Sequence, residues 1–407
     1  MQIEFVETLV IGGGQAGLAM SHHLKRRGLA HLVLERGRIG ERWKSERWDG
    51  LKFQFPNWSV RLPDFPFPHA DPDGFADLGA IVAFLDAYAA LVAPPIRCGV
   101  EVTRLSRDGA GGFTAETPDA TIAATNVVVA TGPYQRPIGA SPFGENSGLF
   151  QLHASNYRNP AQLPDGAVLV VGAGASGAQI AEELHRAGRK VFLSVGRHNR
   201  LPRRYRGRDL IRWLAEMRLD QTPVEQRGAM KLLPVISGAY GGHTVDFRRF
   251  AREGIVLLGR VASTAGRVIE IAPDLADNLA NGDLGYATFL DMVDDYVRRH
   301  GLNLTDDPAA RARLPDPVCV TTPLRRLDLR AEGIASAILA TGYRVDFGWI
   351  DIPAFDGNGE PRQRHGIADI PGLYFLGLQW MSKMASSFLS GVGDDAAVLA
   401  GHIAARS

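Results

Sequence analysis

A strand-like apolar run that ends in G-x-G-x-x-G occurs twice in this chain, and no other feature constrains its fold as tightly. The first copy is Thr8-Leu-Val-Ile-Gly12-Gly-Gly14-Gln15-Ala16-Gly17, and the second is Val168-Leu-Val-Val-Gly172-Ala-Gly174-Ala-Ser176-Gly177. The glycine starts lie 160 residues apart (172 − 12). Each copy runs into a helical stretch, 18–27 and 178–187, and then meets a glycine at Gly28 or Gly188, as a helix C-cap requires. Each then enters a second apolar strand, Ala30-His-Leu-Val-Leu-Glu35 and Lys190-Val-Phe-Leu-Ser194-Val. The pattern is a βαβ unit of about 30 residues with parallel strands.

A second pairing trails the first. Asn126-Val-Val-Val-Ala-Thr131-Gly132 and Ala335-Ser-Ala-Ile-Leu-Ala-Thr-Gly342 are buried strands that end alike. Near the C-terminus, Gly372-Leu-Tyr-Phe-Leu-Gly377 and Gly391-Val-Gly-Asp394-Asp-Ala read as one more strand and helix returning to the first unit. The expected fold class is α/β, with two Rossmann-like dinucleotide-binding domains, the second inserted in the first. The expected layout is 1–160 plus 345–407 for one domain and 161–344 for the other. Segment 77–92 reads as a helix from its apolar spacing. Segments 97–105 and 112–125 read as strands, and 288–300 as helical. The remainder of 200–330 carries no function legible in the sequence.

The glycines have a chemical purpose. A dinucleotide pyrophosphate needs backbone N–H groups at a helix N-terminus with no side chain in the way. Gly12, Gly14 and Gly17 supply the tight turn, the close approach and the tight helix packing, with Gln15 and Ala16 completing the loop. A lone glycine-rich turn is weak evidence, but here the strands, the helix and a terminal acid are all in place. Glu35 ends the second strand, where a carboxylate accepts ribose hydroxyls, and Arg36 follows it. The second copy, Gly172, Gly174, Ser176 and Gly177, ends without an acid. Ser194 and Arg197 stand there instead, with Arg203 and Arg204 beyond, a set suited to a 2′-phosphate. FAD is therefore expected in the first site and NADPH in the second, as a hydride relay.

Composition closes other classes. Lys+Arg is 45 against Asp+Glu 44, a net charge of +1, which argues against a nucleic-acid binder. The basic run 203–208 then reads as a cofactor contact or a solvated loop. No apolar stretch is long enough for a membrane span, and Glu4 and Glu7 sit where a signal peptide carries positive charge. Cys98 and Cys319 are 221 residues apart (319 − 98) and fit a reducing, cytoplasmic setting rather than a local redox dithiol. No metal-ligand cluster, catalytic triad or Walker loop is present, so no metal is expected. Trp58, Phe65, Phe67, Trp380 and Phe388 suit a substrate pocket and core packing about equally.

These residues, together with Glu41-Arg42-Trp43-Lys-Ser-Glu-Arg-Trp-Asp-Gly-Leu-Lys-Phe-Gln54-Phe-Pro, resemble the flavin-containing monooxygenases, with YUCCA-like and CzcO-like members nearest. The likeness is strongest over 1–70, 125–200 and 335–400. The fingerprint F-x-G-x-x-x-H-x-x-x-[FY] matches in its second half, at His153 and Tyr157, but Ser147 and Leu149 replace its Phe and Gly. The resemblance implies that NADPH reduces FAD and that oxygen then adds at flavin C4a. The resulting hydroperoxide oxygenates a small organic substrate at N or S, or beside a carbonyl. It places Arg42 and Trp43 beside FAD, Thr131 and Gly132 at the hinge, and Asp394 in a helix whose N-terminus faces the flavin. Gln54 and Asn57 both lie where the family sets a side-chain amide near C4a, and the choice between them stays open. A small-molecule substrate and O2 are the expected partners, and homodimerisation is left open. An NADPH-flavin oxidoreductase or oxidase and a non-turnover redox sensor are the alternatives. Disulfide reductases share the architecture but need an adjacent cysteine pair, and Cys98 and Cys319 are not one.

Overall fold

A computed structural model of the chain describes residues 3–109, 111–138, 143–144, 148–227 and 234–406. Two largely parallel sheets organise it. In the first, Ile96–Cys98, His31–Glu35, Ile3–Ile11, Thr121–Val129 and Leu373–Phe375 run parallel. An antiparallel meander, Arg104–Arg107 and Phe113–Glu116, extends it from Thr121–Val129. In the second, Phe150–His153, Ile334–Leu339, Ala167–Val171, Val191–Ser194 and Val256–Leu258 are all parallel. Their Val, Leu and Ile runs are buried on both faces, as central parallel strands demand.

One boundary differs from the sequence expectation. Phe150–His153, assigned above to 1–160, pairs with Ile334–Leu339 in the second sheet. Its partners lie far along the chain, so local pattern could not reveal the allegiance.

Helices cover the sheets. Gln15–Arg26, Leu78–Val92 and the final helix Val392–Ala404 pack Leu18, Leu24, Leu85, Tyr88, Leu399 and Ile403 into one core on one face of the first sheet. Leu9, Ile11, Leu34, Val127 and Phe375 face the meander on the other. The middle helix starts where its periodicity predicts, with Asp77 accepting the Ala80 N–H at its N-cap. In the second unit, Ile180 and Leu184 of the helix Ala175–Arg186 pack on Val168, Val170 and Leu193. Segment 200–330 supplies the helices Leu210–Glu216 and Leu275–Arg299, which bury Trp213, Phe289 and Val293 together. No helix among the described residues is long and apolar enough to cross a membrane.

The two glycine turns are built alike. Gly12 and Gly172 take φ of +115° and +102°, a region that disfavours any other residue. A Cβ on Gly12 would sit 2.6 Å from the Ala130 carbonyl oxygen, and one on Gly172 2.5 Å from that of Ala340. A Cβ on Gly17 or Gly177 would overlap the carbonyl of Gly12 or Gly172. By contrast, a Cβ on Gly14 or Gly174 would meet nothing within 4 Å.

Candidate active site

Both turns open onto one cavity of about 900 Å³ at the carboxyl ends of the parallel strands, where ligands bind in open α/β sheets. Gly12, Gly14, Gln15, Ala16, Glu35, Arg36, Arg42, Trp43, Thr131 and Gly132 line it from the first unit. Gly174, Ser176, Gly177 and Gln179 line it from the second. Both helices begin at a glycine, Gly14 or Gly174, with no side chain capping the first turn. The free N–H groups and the helix dipole at each turn are left for an anion.

Glu35 is held ready. Its Oε2 accepts the Gly13 N–H at 2.6 Å and its Oε1 the Gly37 N–H at 2.8 Å. A carboxylate has about four lone-pair positions, so about two remain to accept further donors. Arg42 is half-buried, paired with Glu46, and donates to the Gln135 carbonyl at 3.0 Å. Burial lowers its pKa and the Glu46 carboxylate works against that. Along one wall, Trp43, Phe53, Phe55 and Phe388 form a row with centroids 5.7, 5.5 and 5.0 Å apart. The Gln15 amide donates to the Ser387 carbonyl at 2.8 Å and ties the first turn to that wall.

The fingerprint histidine reaches the same cavity. His153 Nδ1 accepts the Ser155 N–H at 3.1 Å, which leaves the Nε2 proton to be donated to the Gly342 carbonyl at 3.2 Å. Burial lowers its pKa, so the ring is neutral at pH 7. Tyr157 lies elsewhere, fully buried and bonded to Glu183 at 2.7 Å; burial raises the pKa of both. Ser147 lies outside the described residues.

Other expected site residues stand differently. Gln54 lines the cavity, but Asn57 does not: it is buried and its amide donates to the Asp71 carbonyl at 2.9 Å. Ser194 is 3% exposed and donates to the Gly259 carbonyl at 3.0 Å, so its hydroxyl is spent inside the second unit. Arg203 is equally committed, to Asp209 at 2.8 Å and to the Gln54 carbonyl at 2.7 Å, with its guanidinium 4.4 Å over Phe75. Arg204 donates to the Gly242 carbonyl at 2.9 Å. Arg197 is exposed and outside the cavity lining. Asp394, with 63% of its side chain exposed, pairs with Lys383 outside the cavity, and its buried neighbour Asp395 bonds to Ser382. Of the aromatic candidates, only Phe388 lines the cavity; Phe65 and Phe67 pack on Phe84, and Trp58 lies under Arg212. Sequence reasoning missed Gln135, Gln179, Tyr343, Asp346 and the stretch 100–103, all of which line the cavity. No motif marks them.

Two nucleotide turns on one cavity define a two-dinucleotide flavoprotein oxidoreductase. The chain belongs to the family described as pyridine nucleotide-disulphide oxidoreductase, whose model matches residues 9–233, more than half of its length. Among curated relatives, a CzcO-like oxidoreductase of Geobacillus kaustophilus is 31% identical over 98% of both chains. The indole-3-pyruvate monooxygenase YUCCA1 of rice is 31% identical over 93% of this chain and 88% of its own. Among solved structures, a flavin-containing monooxygenase from Stenotrophomonas maltophilia superposes with a TM-score of 0.67 at 20% identity, covering 99% of each chain. The fold is thus that of two-domain flavin monooxygenases, and the family's cofactors are FAD and NADPH. The residues fit both groups: Gly14 and Gly174 keep open the space a side chain would fill, beside uncapped helix N-termini.

Proposed function

We propose that this chain is an NADPH-dependent flavoprotein monooxygenase that oxygenates a small organic molecule at nitrogen or sulfur, or inserts oxygen beside a carbonyl. The observation that carries the reading is the single cavity shared by the two glycine turns. In it, Gly14 and Ala16 leave backbone N–H groups for the FAD pyrophosphate, Gly12 keeps the turn tight, Glu35 holds the ribose, and Arg42, Trp43, Thr131 and Gly132 wall the flavin. Gly174, Ser176 and Gly177 receive NADPH, and Arg197 is the cation we assign to its 2′-phosphate. Gln54 is the amide we assign to the reacting end of the flavin, in preference to Asn57. When bound, FAD supplies two-electron reduction and oxygen activation. The protein positions substrate, excludes water and donates hydrogen bonds. The overall balance is NADPH, a proton, O2 and substrate giving NADP⁺, water and oxygenated substrate. The same reading divides the chain at the paired crossing segments 131–138 and 341–346.

The test is stoichiometry. Purified yellow protein, given NADPH, oxygen and a panel of sulfides, amines and ketones, is expected to form one oxygenated product per NADPH with at least one of them. One peroxide per NADPH across the whole panel would make it an oxidase. A flavin that NADPH does not bleach would leave a redox sensor.

A further inference from the structure

The chain passes between the two sheets twice. The outgoing segment leaves Thr121–Val129 and the returning one leaves Ile334–Leu339, and they lie antiparallel, Arg136–Pro137 against Tyr343–Arg344. The Gln135 side chain is at the centre of the bonds that fasten them. Gln135 Nε2 donates to Thr131 Oγ1 at 2.9 Å and to the Gly132 carbonyl at 2.8 Å, while its Oε1 accepts the Asp346 N–H at 2.7 Å. Both amide protons and the carbonyl are used. Around this knot, Arg136 pairs with Asp346, Thr341 donates to the Ile138 carbonyl at 2.5 Å, and Arg42 reaches the Gln135 carbonyl. Tyr343 fills the gap between Tyr134 and His153, at 5.5 and 5.0 Å.

The placement gives the knot a consequence. Gln135, Thr131, Gly132, Gly342, Tyr343 and Asp346 all line the shared cavity. They stand where the strand behind the FAD turn and the strand behind the NADPH turn both end. Whatever fixes these segments against each other fixes the angle between the two nucleotide units. We infer that Gln135 is a positioning residue for hydride transfer between the two coenzymes, acting by pinning the returning segment to the outgoing one. The inference rests on the two-coenzyme reading above. The transfer moves two electrons and one proton as hydride from NADPH to FAD, leaving NADP⁺ and reduced FAD. It needs reacting atoms about 3–3.5 Å apart, and a misplacement of about 1 Å costs up to about 100-fold in rate.

The test uses the FAD-loaded protein with Gln135→Ala and with Gln135→Met, which keeps the length but none of the bonds. Each is mixed anaerobically with rising NADPH, and backbone hydrogen exchange is followed in parallel. FAD content and NADPH Kd are expected to stay within threefold of wild type. The limiting rate of flavin bleaching at saturating NADPH should fall at least tenfold, and 131–137 and 343–346 should exchange faster. A purely structural role would move FAD content or Kd along with the rate, and that pattern in both variants overturns the inference. So does a limiting rate within twofold of wild type. Should wild-type protein not be bleached by NADPH at all, the two-coenzyme reading falls; the exchange data still decide the strap, because unchanged protection at Asp346 overturns it.

Discussion

The two glycine turns are near copies in backbone and unlike in what closes them. Gly14 and Gly174 have φ of −81° and −70°, both helices are 12 residues long, and Gly12 and Gly172 each donate to the end of the following strand. Beyond that strand they part. Glu35 turns inward and grips its own loop through two backbone N–H groups. Ser194, buried, donates instead to the Gly259 carbonyl of its own unit, and Arg197 is exposed. The lesson is that the glycine turn is fixed by local backbone chemistry, whereas the side chains that close it are free to bond elsewhere. The first site is preorganised; in the second, Arg197 and Arg204 are exposed, and Arg204 is already bonded to the Gly242 carbonyl.

The comparison breaks most visibly at the third glycines. Gly17→Ala and Gly177→Ala force a methyl group into the carbonyl of Gly12 or Gly172. Each should cost about 3 kcal/mol or more and yield little soluble protein; a melting temperature near wild type in either would show that the turn relaxes. The middle glycines sharpen it instead. Gly14→Ala and Gly174→Ala meet open space, so both should fold with a melting temperature close to wild-type apoprotein. Gly14→Ala should be colourless, and Gly174→Ala yellow but no longer bleached by NADPH. The opposite pattern of colour would exchange the two sites.

Acid should act on both units, and more gently. Burial lowers the pKa of His22, His23 (to about 4) and His31 in the first unit, and of His153 and His198 in the second. The unfolded chain takes up these protons as pH falls through about 6.5, while the fold resists them. Stability therefore rises with pH over that window and is lost on acidification toward about 4. Thermal melts between pH 7 and 5 should decline, less steeply once His23 is replaced by Asn. The smallest effect is expected at Arg197. An exposed charge contributes about 1 kcal/mol or less, so Arg197→Ala should raise the KM for NADPH only a few-fold and leave that for NADH alone; a change of a hundredfold would make this cation as organised as Glu35.

What the sequence disclosed follows the same division. The paired βαβ units, the strands ending in Ala-Thr-Gly and the helix capped by Asp77 rest on contacts within a few residues, and turn chemistry exposes them. The misplaced strand 150–153, the occupied Ser194 and the inward Asn57 depend on partners elsewhere in the chain, Ser194 on one 65 residues away. Asp394 stands at a helix start as expected, yet Lys383 draws it away from the cavity. Gln135 bonds a backbone N–H 211 residues downstream, and nothing around it in the sequence announces that.

Because the outgoing and returning segments are hydrogen-bonded neighbours at Arg136–Pro137 and Tyr343–Arg344, the inserted unit enters and leaves the molecule through one doorway. Such an arrangement makes it a transplantable cassette: a foreign coenzyme module with similarly adjacent ends can be spliced in at that doorway without rerouting the host sheet, the way insertions succeed where chain ends lie close together.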